Sequence, residues 1–432
     1  MHDTSPQPTR KVQSSQATHR IWWSNAVFFV GMHLATIIAI ALLPPSQVSP
    51  LSSVLLPVAS CQAASLGITV GYHRLYSHRA FRAAWPVRAF LALLGASAFQ
   101  GSIKVRCLRH RLHHRFTDDP VHDPYAATKG LLWSHMGWIF FKSKYERLDS
   151  IDRDDLENDP VVRLQHEYYI PLALITGFAL PPVIGLLWND PIGAFVYGSL
   201  LARLIVWHCT FLVNSLAHWE GLQPYSDDNT SKSNLAEGGA QILALLTCGE
   251  GNHNFHSFPH DFRSGPSPLD WDPSKWAILL LHRFGLASGL RRAPPDEIRA
   301  ARQHMLRKEI AELYADTKGA SFATARVHGG EGEWEGPAWT MEQLMEYAGA
   351  EGRCILLLEG YAVDATEYLT EHPGGSTFLR RYAIGGKTQG PKGPLATGEP
   401  VHDADWAFGG GMNKHSMAAR RRARQLRVAK VQ

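Results

Sequence analysis

The chain has 432 residues, enough for two domains, and its 43 basic against 39 acidic side chains are too evenly balanced for a nucleic-acid-binding surface. Its five cysteines are odd in number, scattered and without a Cys-x-x-Cys pair, which argues against a disulfide framework and a zinc ribbon. The composition leaves a set of 22 histidines to be explained.

Residues 1–20 read as a polar, basic tail (Arg10, Lys11, Arg20) without the apolar core and cleavage site of a secretion signal. From Ile21 to Leu43 there is no Asp, Glu, Lys or Arg, and the stretch is long enough for a bilayer core of about 30 Å. Trp22 and Trp23 stand at its edge as aromatic anchors, and Pro44 and Pro45 end it. A second uncharged stretch, Leu51 to Tyr72, runs straight into His73. Phe90 to Ile103 is apolar but short, and reads as re-entrant or interfacial. Ile170 to Trp188 is the third span. Ile192 to Leu212 is the fourth, broken only by Arg203 and His208, ionisable groups expected to face protein or a polar cavity.

Four spans place both termini on one side. Basic residues flank the first span, and more follow the second (Arg74, Arg79, Arg82, Arg88, Lys104, Arg106), so the positive-inside rule puts the termini and the large polar segments in the cytosol. The expected fold is an all-α integral membrane protein with four transmembrane helices and a cytosolic helical cap.

Histidines cluster where spans meet that cap. His73 and His78 follow the second span, His110, His113 and His114 form a second cluster, and His253 and His256 a third; His218 follows the fourth span. On a helix, residues three and four apart share a face, so His110, His113 and His114 should point one way, as should His253 and His256. His73 and His78, five apart, should diverge more and could serve two different metals. Eight imidazoles are too many for one ion; two ions with about four each is the natural count, and imidazole suits zinc, copper, iron and nickel. Glu250-Gly-Asn-His253 matches one half of the paired Glu-x-x-His motifs of soluble di-iron bundles, but it has no second copy and reads as coincidental.

The order H-x4-H, H-x2-H-H, H-x2-H resembles the membrane fatty-acyl desaturases. Gly71 to Arg79, His110 to Asp118, Ser134 to Trp138, Asn214 to His218, and Gly249 to Gly251 before the third cluster are similar to the acyl-CoA Δ9 (stearoyl-CoA type) branch, over roughly residues 21–310. The resemblance implies a di-iron site held by His73, His78, His110, His113, His114, His218, His253 and His256, with Asn214 acting through a water. One departure stands out. The family's third motif is usually H-x-x-H-H, whereas here Ser257 follows His256. A weakened site, a site completed by another ligand or water, and a sequence error are all open; His260, behind Pro259, is a doubtful replacement.

Residues 311–337 turn Gly-rich and read as a linker. Residues 338–432 read as a small α+β unit, with strands expected at Ile355 to Leu358 and within Gly360 to Thr366. Tyr361-Ala-Val-Asp-x-Thr followed by Glu371-His372-Pro373-Gly374-Gly375 resembles the cytochrome b5 family, which implies haem b with His372 as one axial ligand. His415, in Asn413-Lys-His-Ser416, is preferred over His402 as the second; a Gly- and Pro-rich insertion at 385–398 lengthens the interval. The basic segment Arg420 to Arg427 reads as a solvated helix face.

The two resemblances together imply O2-dependent desaturation of a long-chain acyl-CoA in the endoplasmic reticulum membrane. Electrons would reach the fused haem from an NADH-cytochrome b5 reductase. Trp138, Thr210 and Phe211 are expected along the acyl tunnel, and Arg74 and Arg106 near the CoA phosphates. The rival readings are a hydroxylase, a desaturase of lipid-bound or sphingoid chains, and a non-catalytic haem-binding membrane paralogue, the last motivated by Ser257.

Overall fold

The computed structural model describes residues 20–432 except 146, 220, 234–238, 319–333, 351, 371, 373–374, 385–403, 412–414 and 416. The polar tail, the Gly-rich core of the linker, the insertion at 385–398, His402, and the Glu371, Pro373, Gly374, Asn413, Lys414 and Ser416 neighbours of the two haem-ligand candidates lie outside the described residues.

Four described helices are long and apolar enough to cross a membrane: α1 (Trp23–Leu42), α2 (Leu51–Ser77), and two later ones. The outer faces of α1 carry exposed Trp23, Val27, Ile37 and Leu42, as expected where lipid and not water is the solvent. Asn25 Nδ2 donates to the Ile139 carbonyl at 2.8 Å and Trp22 N to Phe140 O at 2.8 Å, which pins the start of α1 to the cap.

The second helix runs past Tyr72, where the sequence reading ended the span, to Ser77; its last part, Gly67–Ser77, is π-wound. It turns back into α3 (Trp85–Ser97), the short apolar stretch, which is too short to cross. The two helices approach through glycines. A Cβ on Gly67 would lie 2.3 Å from the Gly95 nitrogen, and one on Gly95 would lie 2.2 Å from the Tyr72 ring.

The polar helix α4 (Ile103–Arg115) is capped by Ser102, whose Oγ accepts from Val105 N. After α5 (Leu131–His135) and α6 (Pro160–Glu167) come the remaining long helices, α7 (Tyr169–Trp188) and α8 (Pro191–Trp219). Asp190 joins them. It accepts from Gly193 N at 2.9 Å and from Ser49 N at 3.0 Å, tying the α7–α8 turn to the loop before α2.

The cap closes on the end of α2 through a buried ion network. Arg74 donates to Glu250 Oε1 at 2.9 Å, Asp272 Oδ2 at 3.0 Å and the Phe262 carbonyl at 2.8 Å. Arg74 is therefore committed inside the protein, contrary to the expectation that it meets CoA phosphates. A buried cation needs its partners, so Asp272→Ala should cost about 3 kcal/mol; thermal unfolding in detergent, followed by tryptophan fluorescence, measures it.

Beyond α9 (Gly239–Leu246) and α10 (Pro273–Arg283), α11 (Pro295–Lys318) continues through Ala311, where the linker was expected to begin. The C-terminal unit has α12 (Met341–Ala348), α13 (Ser376–Tyr382), α14 (Met417–Gln425) and strands β1 (Ala338–Trp339), β2 (Ile355–Leu358), β3 (Tyr361–Asp364) and β4 (Arg427–Val431). Sheet order is β1-β4-β3-β2, with only the β1–β4 pair parallel. Strand alternation builds a core on each face. Leu356, Leu358 and Val363 pack on one side, and Ile355, Ala362 and Ala429 on the other with Leu344 of α12. The Thr340–Gln343 capping box starts that helix.

Candidate metal centre

The histidine-bearing segments converge beneath the four long helices. The end of α2 brings His73 and His78, α4 brings His110, His113 and His114, the last turn of α8 brings His218, and a short turn at His253–Ser257 brings the third cluster.

They form two adjoining groups. In the first, Nε2 atoms face one another: His73 to His256 at 3.2 Å, His256 to His114 at 2.9 Å, His114 to His110 at 3.1 Å and His110 to His78 at 2.9 Å. One ligand nitrogen each of His73, His78, His110 and His256 lies within 4.8 Å of the other three. In the second, His218 and His253 Nε2 are 3.1 Å apart, and the His113 ring is 5.7 Å from that of His218. Asn214 stands one turn before His218 on α8. The stacked rings of His253 and His256, 5.3 Å apart, join the groups.

This arrangement fits bound cations. Each neutral imidazole has one N–H, so Nε2 atoms such as those of His256, His114 and His110, which each face two others, cannot be satisfied by linear hydrogen bonds alone; converging lone pairs suit a metal. Burial, then the neighbouring imidazoles, push His78, His110, His114 and His256 well below the usual histidine range, and burial takes His253 down to about 3. Neutral rings are the form that ligates. The hydroxyl of Ser257, next to His256 in the chain, is buried without a hydrogen-bond partner among the described residues.

Outer partners set ring orientation. His113 Nδ1 meets Asp123 Oδ1 at 2.8 Å; burial works against the charged ring, but the carboxylate outweighs it and raises the histidine. His218 Nδ1 lies 2.9 Å from Thr230 Oγ1, which donates to Asp118 Oδ1 at 2.7 Å. Glu250 Oε1 is 3.6 Å from His73 Nδ1; burial opposes its charge, yet Arg74 and then His73 hold it far below the ordinary carboxylate range. Asp123→Asn should weaken metal retention about 10- to 100-fold, the usual cost of an outer partner; iron per chain after graded chelator exposure reads this out.

The structure sharpens three expectations. His73 and His78 belong to one group, with ring centroids 4.6 Å apart. Residues five apart diverge by about 140° on an α-helix, but i→i+5 winding brings them within about 50°. His113 lies between the groups as its helix face implies, with its ring 5.5 Å from that of His114 and 5.7 Å from that of His218. Glu250 is an outer partner, 3.6 Å from His73 Nδ1 and 2.9 Å from Arg74, a contact that the Glu-x-x-His spacing toward His253 does not signal.

His260 is not part of either group. Its Nδ1 lies 3.5 Å from the His78 carbonyl, and burial lowers it to about 4. Of the tunnel candidates, Trp138 and Phe211 meet edge to face at 6.1 Å, and Thr210 Oγ1 accepts from Gln100 Nε2 at 2.9 Å.

In the C-terminal unit, His372 Nδ1 lies 3.1 Å from Gly375 O, and His415 Nδ1 3.0 Å from Phe408 O. Both carbonyls fix the proton on Nδ1 and put the lone pair on Nε2, the pattern of a histidine prepared as an axial ligand. Burial lowers His372 to about 4. This unit contacts the cap: the Arg115 guanidinium lies 3.8 Å over the Phe378 ring, and a Cβ on Gly375 would sit 2.3 Å from that of Asp152.

The fatty acid desaturase family profile matches residues 49–260. A probable acyl-CoA desaturase of Schizosaccharomyces pombe is 33% identical over 99% of this chain and 82% of its own length. Acyl-CoA desaturase 1 of Saccharomyces cerevisiae is 34% identical over 85% of this chain, which spans 65% of that protein. Human stearoyl-CoA desaturase 5 is 34% identical over 65% of this chain and 85% of its own. With four long apolar helices above eight converging histidines, this chain belongs to the fatty acid desaturase family and is a homologue of its acyl-CoA desaturases.

Proposed function

We propose that the protein desaturates saturated long-chain acyl-CoA at the Δ9 position, in the endoplasmic reticulum membrane with both termini cytosolic. The observation that carries this is the paired histidine groups at the ends of the apolar helices. The balanced reaction is –CH2–CH2– + O2 + 2 e− + 2 H+ → –CH=CH– + 2 H2O.

His73, His78, His110, His114 and His256 would hold one iron, and His113, His218 and His253 the other, with Asn214 reaching it through water. Two irons there supply the O2 reduction that breaks two unactivated C–H bonds. Glu250, Asp123 and the Thr230–Asp118 pair hold ligand rings in place, so that the imidazoles keep one geometry while charge changes. Trp138, Thr210 and Phe211 would line a dry path that positions the chain and excludes water. With serine at 257 the second iron would have three imidazoles in this reading, and water would complete its shell.

Residues 338–432 form the electron-donor unit in this reading, with haem b between His372 and His415. A haem with both axial positions filled passes single electrons without binding O2. The Arg115–Phe378 and Asp152–Gly375 contacts support delivery to the cap, and fusion raises the donor's effective concentration. An NADH-cytochrome b5 reductase would recharge it.

Growth of a desaturase-deficient host without added unsaturated fatty acid tests the reading. Restored growth with cis-9 products is expected. Hydroxylated acyl products would replace it with the hydroxylase reading, and bound haem without iron or product would make the protein a non-catalytic paralogue.

A further inference from the structure

The cap and the C-terminal unit meet at a cation that no carboxylate balances. Arg115, the last residue of α4, lays its guanidinium 3.8 Å over the Phe378 ring of α13. Its Nη1 donates to the Ser150 carbonyl at 3.0 Å, the one hydrogen bond from this guanidinium to the described residues. Nε is buried and has no partner among them. The ionisable side chains that act on Arg115 are Tyr382, Arg147 and Arg381, and none is a carboxylate. Asp149, Asp152 and Asp155, from the segment that carries Ser150, are paired with other arginines: Asp149 with Arg153, Asp152 with Arg79, and Asp155 with Arg79 and Arg111.

A cation taken out of water is costly unless it is paired. Stacking on Phe378 uses the face of the guanidinium and leaves its N–H edge open. An open guanidinium edge takes a carboxylate through two parallel bonds, a match that a lysine does not reproduce.

The open edge lies beside the haem-ligand candidates. Arg115 and His415 are the two ionisable groups that act on His372. Phe378 follows Gly375 by three residues, and Gly375 is bonded to His372 in both directions: its carbonyl lies 3.1 Å from His372 Nδ1, and its N–H donates to the His372 carbonyl at 3.0 Å. Haem b carries two propionate carboxylates on one edge, and its axial ligands neutralise neither. On the cap side, Arg115 directly follows His114, whose Nε2 is 3.1 Å from that of His110 and 2.9 Å from that of His256 in the first metal group.

We propose that Arg115 of the cap binds a propionate of the haem held by the C-terminal unit, so that the cofactor site is completed across the two units. This rests on the haem reading of residues 338–432. Arg115 is then a positioning residue. It fixes the haem edge one residue away from a ligand of the first metal group, and its charge favours the ferrous form, which carries one positive charge fewer than the ferric.

The test uses the full chain in lipid nanodiscs, stripped of haem and reloaded with haem b or with its dimethyl ester, in which both carboxylates are blocked. Loss of haem to excess apomyoglobin is followed for the parent, Arg115→Gln and Arg115→Lys. Arg115→Gln should lose haem b at least about tenfold faster than the parent, the usual size of hydrogen bonding to a charged group, and should lose the ester at the parent's rate. Equal acceleration with both haems would mean that Arg115 only packs against Phe378. No acceleration with haem b would mean that it meets no propionate. Either result overturns the proposal. The midpoint potential of haem b should fall in Arg115→Gln, by about threefold or more in the reduction equilibrium, and stay with the parent in Arg115→Lys; an unchanged potential in Arg115→Gln overturns the proposal too. One comparison alters no residue: the parent should lose the ester at least about tenfold faster than haem b, and equal retention would overturn the proposal without any variant. A full chain that takes up neither haem refutes the haem reading and the proposal with it, whereas uptake with any of the contrary results refutes the proposal alone.

Discussion

His256→Ala should produce the largest single loss of function. His256 Nε2 lies 3.2 Å from that of His73 and 2.9 Å from that of His114, and its ring stacks on His253 of the second group. The other bridge between the groups, His113 to His114 at 5.5 Å, comes from one helix and does not replace the contacts of His256 with His73 and His114. Ser257 offers no second ring to take its place. Iron content should fall from two per chain to one or less, and turnover by more than about 100-fold, beyond the upper end of what loss of an outer partner costs. The fold should survive, because the Arg74–Glu250–Asp272 network closes the cap independently. Metal analysis and product formation on one preparation check both parts. Inserting a histidine after His256 is the converse change, expected to raise iron retention.

His372→Ala should separate the two units. Its Nδ1 contact to Gly375 O prepares Nε2 as a ligand, so the alanine variant should lose the haem Soret band and keep its iron. NADH-driven turnover should then fall about 100-fold with micromolar free cytochrome b5 present, since tethering gives an effective concentration near the millimolar range. Millimolar added donor should restore it. A variant that keeps full NADH-driven turnover without haem would show that electrons enter elsewhere.

Much of the fold was legible in the sequence because bilayer-length apolar runs leave little choice. The four expected spans match α1, α2, α7 and α8 to within a few residues at most ends, and the Ile355–Leu358 strand matches throughout. The larger differences are continuations. The second helix runs on to Ser77 and the fourth to Trp219, because the ligand histidines are carried on the ends of the spanning helices and not on loops beneath them. The linker likewise starts late, since Ala311 to Lys318 remain helical.

The site was legible as a list of residues but not as a partition. Spacing arguments assumed α-winding, and the π-wound end of α2 reverses the conclusion for His73 and His78. A single turn at His253–Ser257 serves both groups, which no helical-face rule anticipates. Outer partners such as Asp123 and Thr230 come from loops, where distance in sequence carries no signal about contact. His208 was visible as an ionisable residue in an apolar run, but its contacts with His33 and His135 needed three dimensions.

Chemistry at the acyl chain tests the central claim most directly. Purified protein carrying two irons per chain, reduced chemically and given O2 and stearoyl-CoA deuterated at C9 and C10, should in a single turnover give cis-9-octadecenoyl-CoA that has lost one deuterium from each carbon. A hydroxylated product, or an unchanged acyl chain from protein with its full complement of iron, would contradict the account.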